Sequence, residues 1–196
     1  MGPRAPTDGS SVRGSILVRV VKILRSRRER ARSLVPHQLH KYLSERINFV
    51  DWYPAEDYFE LLRSCVLVLV EEASCTYEDV GATAAEEDMN GVYRSLLRSG
   101  DVGRTLSSFA TLWRNQYAFG GLNARLDSGS SAIVTLTEPA FSRRHLCPTV
   151  YGYIKRAIAL AGGTNIRLQH TICVLTGGTK CEWRVSWDGA EQGRAT

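Results

Sequence analysis

At Gly120-Gly121 the apolar residues of this chain change period, and that switch constrains its fold more than any other feature. Upstream they recur at helical spacing. Ile16, Val20, Ile23 and Leu24 mark a first helix beginning near Val12, and Pro36 opens a short second one through Leu39, Tyr42 and Leu43. Tyr58, Leu61, Leu62, Cys65, Val66 and Leu69 form the broad apolar face of a long helix over 54–73. Such breadth places a helix in the core. Pro54 suits its first position, and Glu56 and Asp57 suit the positive end of its dipole. A linker is predicted over 74–85. A helix through Met89, Val92, Tyr93, Leu96 and Leu97 follows, then one capped by Asp101 that carries Leu106, Phe109, Leu112, Trp113 and Tyr117.

Downstream the period is two. Leu122, Ala124 and Leu126 alternate with polar residues, Asp127-Ser128-Gly129-Ser130 signals a turn, and Ala132, Val134 and Leu136 alternate again. This is a β-hairpin. A helix is predicted over 148–161, ended by Gly162-Gly163. A second hairpin runs out through Ile166, Leu168, His170, Ile172 and Val174 and returns through Cys181, Trp183, Val185 and Trp187. Helices, hairpin, helix, hairpin is an α+β order, a small antiparallel sheet of two hairpins packed on a helical layer. The reading is one domain over 12–187 with flexible tails at 1–11 and 188–196.

With 196 residues, 43% of them hydrophobic, the chain has material for a real core. Its longest apolar run, Cys65 to Val70, is far too short to span a bilayer. The polar start carries no secretory signal, and five cysteines form an odd set, so the expected compartment is the reducing cytoplasm. Charge is blocky. Residues 1–50 hold 11 Lys/Arg against 3 Asp/Glu, residues 51–90 hold 1 against 11, and the rest hold 13 against 6. Arg19, Lys22, Arg25, Arg27, Arg28, Arg30 and Arg32 make the first helix basic and amphipathic. It is read as a packed helix with a wet basic face, because its apolar stripe lacks the Trp and Phe of a membrane-surface helix. Nucleic-acid binding is disfavoured by the acidic block and by the absence of any recognition motif.

The segment Val12-Arg13-Gly14-Ser15-Ile16, the phrase Trp52-Tyr53-Pro54 with Asp57-Tyr58 and Leu61-Leu62, and the closing 181–187 strand resemble a myxobacterial paralogous family of uncharacterised proteins. That family is similar to a wider superfamily: the vinyl-reductase-type ligand domains of aromatic-sensing regulators, the haem-NO-binding-associated proteins and the small subunits of the TRAPP vesicle-tethering complex. The resemblance implies a TRAPP-subunit-like α+β fold, a homodimer through helices, and a buried cavity for small apolar ligands or acyl chains. It implies no catalytic role. Trp113, Tyr117, Phe119, Tyr153 and Trp183 are the candidate pocket aromatics, with core packing as their alternative role. Cys65 invites comparison with the acylated cysteine of the tethering subunits but reads as a packed core thiol.

In the aromatic-sensing relatives a structural zinc is held by cysteines and one carboxylate around the last hairpin. Laid against that pattern, Cys147, Cys173 and Cys181 supply sulfur, and His170 falls where the family carries its Glu. Three sulfurs and an imidazole make a closed tetrahedral site. The strand pattern argues otherwise. A two-residue turn at Gly177-Gly178 pairs Val174 with Cys181 and turns Cys173 away, leaving His170, Ile172, Cys181 and Trp183 on one apolar face. A three-residue loop places Cys173 opposite Cys181 but mixes Gln169 and Thr171 into that face. No cofactor beyond a structural zinc is expected. Haem relatives carry a Tyr-x-Ser-x-Arg phrase, which Tyr93-Arg94-Ser95 does not match. No phosphate loop or nucleophile elbow is present. The expected function is a non-enzymatic ligand-sensing or adaptor domain acting through dimerisation and a protein partner. A GTPase- or polarity-linked interaction module without ligand is the alternative.

Overall fold

The computed structural model describes residues 10–137 and 144–189. The expected tails lie mostly outside these residues. The described chain forms two compact units, one of residues 10–76 with 114–119, the other of 77–113 with the described part of 120–189.

The first unit is helical. Strand β1 (Ser11–Arg13) leads into α1 (Gly14–Ser26), followed by α2 (Arg28–Leu34), a 3₁₀ turn at His37–Leu39, α3 (Lys41–Ser44), β2 (Trp52–Pro54) and α4 (Ala55–Ala73). Helix α1 buries Ile16, Leu17, Val20, Val21 and Leu24, as its stripe requires, while Arg19 is half-buried and Arg25 is exposed with its guanidinium donating to Tyr42 O. In α4, Phe59, Leu61, Leu62 and Cys65 are fully buried. Ser64 is buried with them and donates to Leu34 O and Glu60 O, so it carries no unmet polar group. The two phrases singled out in the sequence meet. Val12 pairs with Tyr53 and Arg13 with Trp52, and the Arg13 guanidinium stands 3.9 Å from the Trp52 ring centroid.

The second unit begins with α5 (Tyr77–Asn90), where a linker was expected over 74–85. A 3₁₀ turn (Arg94–Leu96) and α6 (Val102–Ser107) follow, and α7 (Phe109–Gln116) carries the chain out to the first unit. The expected helix through Val92 and Leu96 is reduced to that turn, and Val92 is 89% exposed. Asp101 caps α6 as expected, its side chain accepting from Arg104 N at 2.8 Å. Strands β3 (Gly121–Ser128) and β4 (Ser131–Thr137), helix α8 (Leu146–Leu160), and strands β5 (Thr164–Ile172) and β6 (Cys181–Asp188) complete the unit. The two hairpins join through β4 and β6 into one antiparallel sheet, ordered β3-β4-β6-β5. Ala132, Val134, Leu136, Trp183, Val185 and Trp187 are buried, as the alternation requires. The fold class is α+β.

Helices α5 and α8 cross at backbone contact. A Cβ on Gly81 would fall 1.9 Å from Thr149 O, and one on Gly152 would fall 2.0 Å from Glu78 O. Asp88 is buried on α5 and accepts from Tyr153 Oη at 3.0 Å.

Candidate metal centre

Four side chains converge at the start of α8 and the β5–β6 connection. One ligand atom each from Cys147, His170, Cys173 and Cys181 lies within 4.8 Å of all the others. The Cys147 sulfur is 3.5 Å from that of Cys181 and 3.9 Å from that of Cys173. A zinc tetrahedron with Zn–S bonds near 2.3 Å has sulfur–sulfur edges of roughly 3.8 Å. A disulfide would need about 2.05 Å. All five cysteines are free thiols.

The local fold explains how the four meet. The expected two-residue turn is not there. Residues 173–180 form a longer connection, with a 3₁₀ turn at Val174–Thr176 and Gly177 at φ +94°. Gly178 N and Thr176 Oγ1 both donate to Cys173 O. The pairing of β5 with β6 slips between His170↔Trp183 and Ile172↔Glu182, so Thr171 is an extra residue, a β-bulge. One extra residue inverts the alternation. Cys173 then joins the side of His170, and Ile172 turns outward to 36% exposure. The bulge is anchored, since Thr171 Oγ1 donates to Glu182 O at 3.2 Å and to Glu182 Oε1 at 3.3 Å. Lys180 Nζ pairs with the same carboxylate at 2.7 Å and holds it below the usual carboxylate range. Thr171, Lys180 and Glu182 thus support the cluster, and nothing in the apolar pattern marks them.

Trp183, fully buried two residues after Cys181, stacks on the His170 ring at 4.7 Å and 11°. This fixes the imidazole plane. His170 Nε2 and Trp183 Nε1 are both buried without a hydrogen-bond partner. An unmet buried polar atom costs about 1–3 kcal/mol. The donated hydrogen bond from Cys147 holds the Cys181 thiol below the ordinary range, helped by the Val174 N–H, while that bond and burial push Cys147 up. One sulfur is thus poised as a thiolate, the form that ligates metal.

The candidate pocket aromatics are dispersed. Trp183 stacks on His170 of the cluster, and Tyr153 bonds Asp88 and meets Phe109 edge-on. Trp113 is buried in the second unit. Tyr117 and Phe119 touch edge-on in the first, where Phe119 also meets Phe59. Two surface clefts, of about 380 and 340 Å³, are lined by none of the five. Cys65 is buried, and burial pushes its thiol up to about 12. Its thiolate fraction at pH 8 is then on the order of one in ten thousand. Cys65 is expected to resist iodoacetamide in the native protein and to react only after unfolding, which peptide mapping reads out. Rapid native labelling at Cys65 would contradict the packing described.

No family model matches this chain, and no curated protein matches it. Solved structures do. The fold is that of H-NOX (haem-NO-binding) domains. An oxygen-binding H-NOX domain related to soluble guanylate cyclases overlays with TM-score 0.64 and 11% identity, covering 91% of this chain and 96% of that one. An H-NOX protein from S. oneidensis in the Fe(II)NO state gives TM-score 0.60 and 14% identity over 89% and 99%. A point variant of T. tengcongensis H-NOX gives 0.63 and 10% over 91% and 99%. At these identities the overlays show the fold alone, and they lend no support to the TRAPP-subunit comparison.

The residues present do not fit haem. An axial imidazole must be free to face the porphyrin. The chain has four histidines. His170 sits among the three sulfurs. His145 stacks on Tyr77 at 4.6 Å. His40 Nε2 is bonded to Val35 O, and His37 lies exposed beside it on the surface turn. The Tyr-x-Ser-x-Arg spacing does occur, at Tyr42-Leu43-Ser44-Glu45-Arg46, but Tyr42 is buried there with its hydroxyl donating to Asp57 at 2.6 Å, and the high-lying Cys65 thiol is a poor thiolate ligand.

Proposed function

We propose that this chain is a non-enzymatic ligand-sensing domain of the H-NOX fold that holds a structural zinc and takes a small apolar ligand in place of haem. The observation that carries the sensing role is the overlay on H-NOX domains across nine-tenths of the chain. The four histidine environments argue for a ligand other than haem. The Trp52-Tyr53-Pro54 phrase and the 181–187 strand support the finer placement in the myxobacterial family. A homodimer that signals to a protein partner in the cytoplasm follows from that placement. Structural roles for Tyr153 and Trp183 leave Tyr117 and Phe119, edge-on neighbours in the first unit, as candidates for ligand contact.

The zinc reading rests on the cluster itself. Sulfur spacing matches a tetrahedron, a buried ring nitrogen lacks a partner, and one thiol is held toward its thiolate. Zinc here would pin the start of α8 to the sheet. Thr171→Val removes the hydroxyl that anchors the bulge. It is expected to weaken zinc affinity about ten-fold, the lower end for groups that orient metal ligands. Competition with a chromophoric chelator measures this, and unchanged affinity would contradict the role given to Thr171.

Native mass spectrometry of the purified chain, followed by organic extraction, tests the ligand. A small organic adduct, or a melting shift with a panel of aromatic and acyl compounds, is expected. Neither adduct nor shift would turn the reading to an interaction module without ligand.

A further inference from the structure

We infer that the first unit docks on an anionic membrane surface through the loop over 45–51 and the groove it forms with α1. The loop is rigid. Asn48 O accepts from Asp51 N, Phe49 O from Ser15 N, Val50 O from Arg13 Nη1 at 2.7 Å, and Asp51 O from Gly14 N at 2.8 Å. Asn48 N donates to Tyr53 Oη, and Arg25 donates to Glu45 O. Gly14 lets the backbones meet, since a Cβ there would fall 2.0 Å from Asn48 O. Yet this well-tied loop leaves Phe49 55% and Val50 48% exposed. Two apolar side chains are held out to solvent on a frame that loses little entropy on binding.

The surroundings are cationic. A groove of about 340 Å³ has Val21, Ile47 and Phe49 as apolar lining and Lys22, Arg25 and Arg46 as basic lining. Residues 10–51 carry ten Lys/Arg against Glu29, Glu45 and Asp51. Lys22 and Arg46 have no ion-pair partner among the described residues. An exposed Phe49 at a groove that also carries Lys22 and Arg46 suits the boundary between headgroups and acyl chains of an anionic leaflet. A peptide fits less well. Peptide recognition commonly uses main-chain pairing, and all four carbonyls from Asn48 to Asp51 are already committed within the unit. The membrane-surface aromatic missing from the α1 stripe is thus supplied by Phe49 of the neighbouring loop.

Flotation of the whole chain with vesicles tests this, comparing phosphatidylcholine alone with phosphatidylcholine mixed with phosphatidylserine. Binding is expected only with phosphatidylserine, and high salt should remove it. Each juxtamembrane cation contributes about five-fold in affinity. Lys22→Gln with Arg46→Gln, both exposed and so harmless to folding, is therefore expected to weaken binding about 25-fold. Phe49→Trp should bind and shift its emission to the blue on vesicles. Equal recovery with both vesicle types, or unchanged binding by the double variant, would overturn the inference. So would capture by polyglutamate without capture by vesicles, which would assign the surface to an acidic protein partner.

Discussion

Cys181→Ser is expected to purify without zinc and to melt some 10–20 °C below the parent chain. Serine nearly preserves shape, so the loss isolates ligation from packing. Structural zinc contributes about 10–16 kcal/mol where the metal organises an entire small fold. Here the sheet and α8 already hold Cys181 and Cys147 close, and Trp183 already orients His170. Only part of that energy is therefore at stake, roughly 5 kcal/mol. For a chain of this size each kcal/mol moves the midpoint by about 2–4 °C. The parent protein stripped by a chelator should melt close to Cys181→Ser, because both lack the same metal. Matching zinc content and matching midpoints in parent and variant would sink the metal reading.

Gly152→Ala should cost about 3 kcal/mol or more, with a midpoint fall of roughly 6–12 °C. The new methyl would stand 2.0 Å from Glu78 O. The obstacle is a backbone carbonyl in a helix, so no side chain can swing aside and α5 must move bodily from α8. Asp88 would then lose its bond to Tyr153. Gly129→Ala is the control, since a Cβ there meets nothing within 4 Å and its φ is ordinary. It is expected to stay within about 0.5 kcal/mol of the parent. Urea titrations of both variants decide the matter. Equal midpoints would contradict the close crossing.

The same crossing shows why part of the fold was hidden in the sequence. Periodicity registers large apolar side chains, and α4 and the two hairpins carry them. The buried stripe of α5 is Gly81, Ala85, Asp88 and Met89. Three of those four residues give little hydrophobic signal, so the segment read as a linker. Packing to a facing glycine, rather than propensity, stabilises that helix. The exposed Val92 contributed a false signal in the opposite direction.

The three-cysteine, one-histidine cluster was legible in residue type and spacing but not in geometry. Gly177-Gly178 invited a two-residue turn because that turn keeps every large apolar residue of the hairpin on one side. The chain instead sacrifices Ile172 to solvent and inserts Thr171 as a bulge, anchored by Glu182 and Lys180. Such a sacrifice of apolar burial marks a place where something other than core packing sets the strand. The pocket aromatics were chosen for size alone, and size does not separate a core stacking partner such as Trp183 from a ligand contact.

The most direct test of a zinc-bearing, haem-free H-NOX-fold domain is the metal and pigment content of the purified chain. Expression with both zinc and a haem precursor in the medium gives each group its chance. Elemental analysis and absorption spectra should then show one zinc per chain, lost on denaturation, and no Soret band. A stoichiometric Soret band, or a metal-free protein whose Cys147, Cys173 and Cys181 all react freely with thiol reagents, would contradict it.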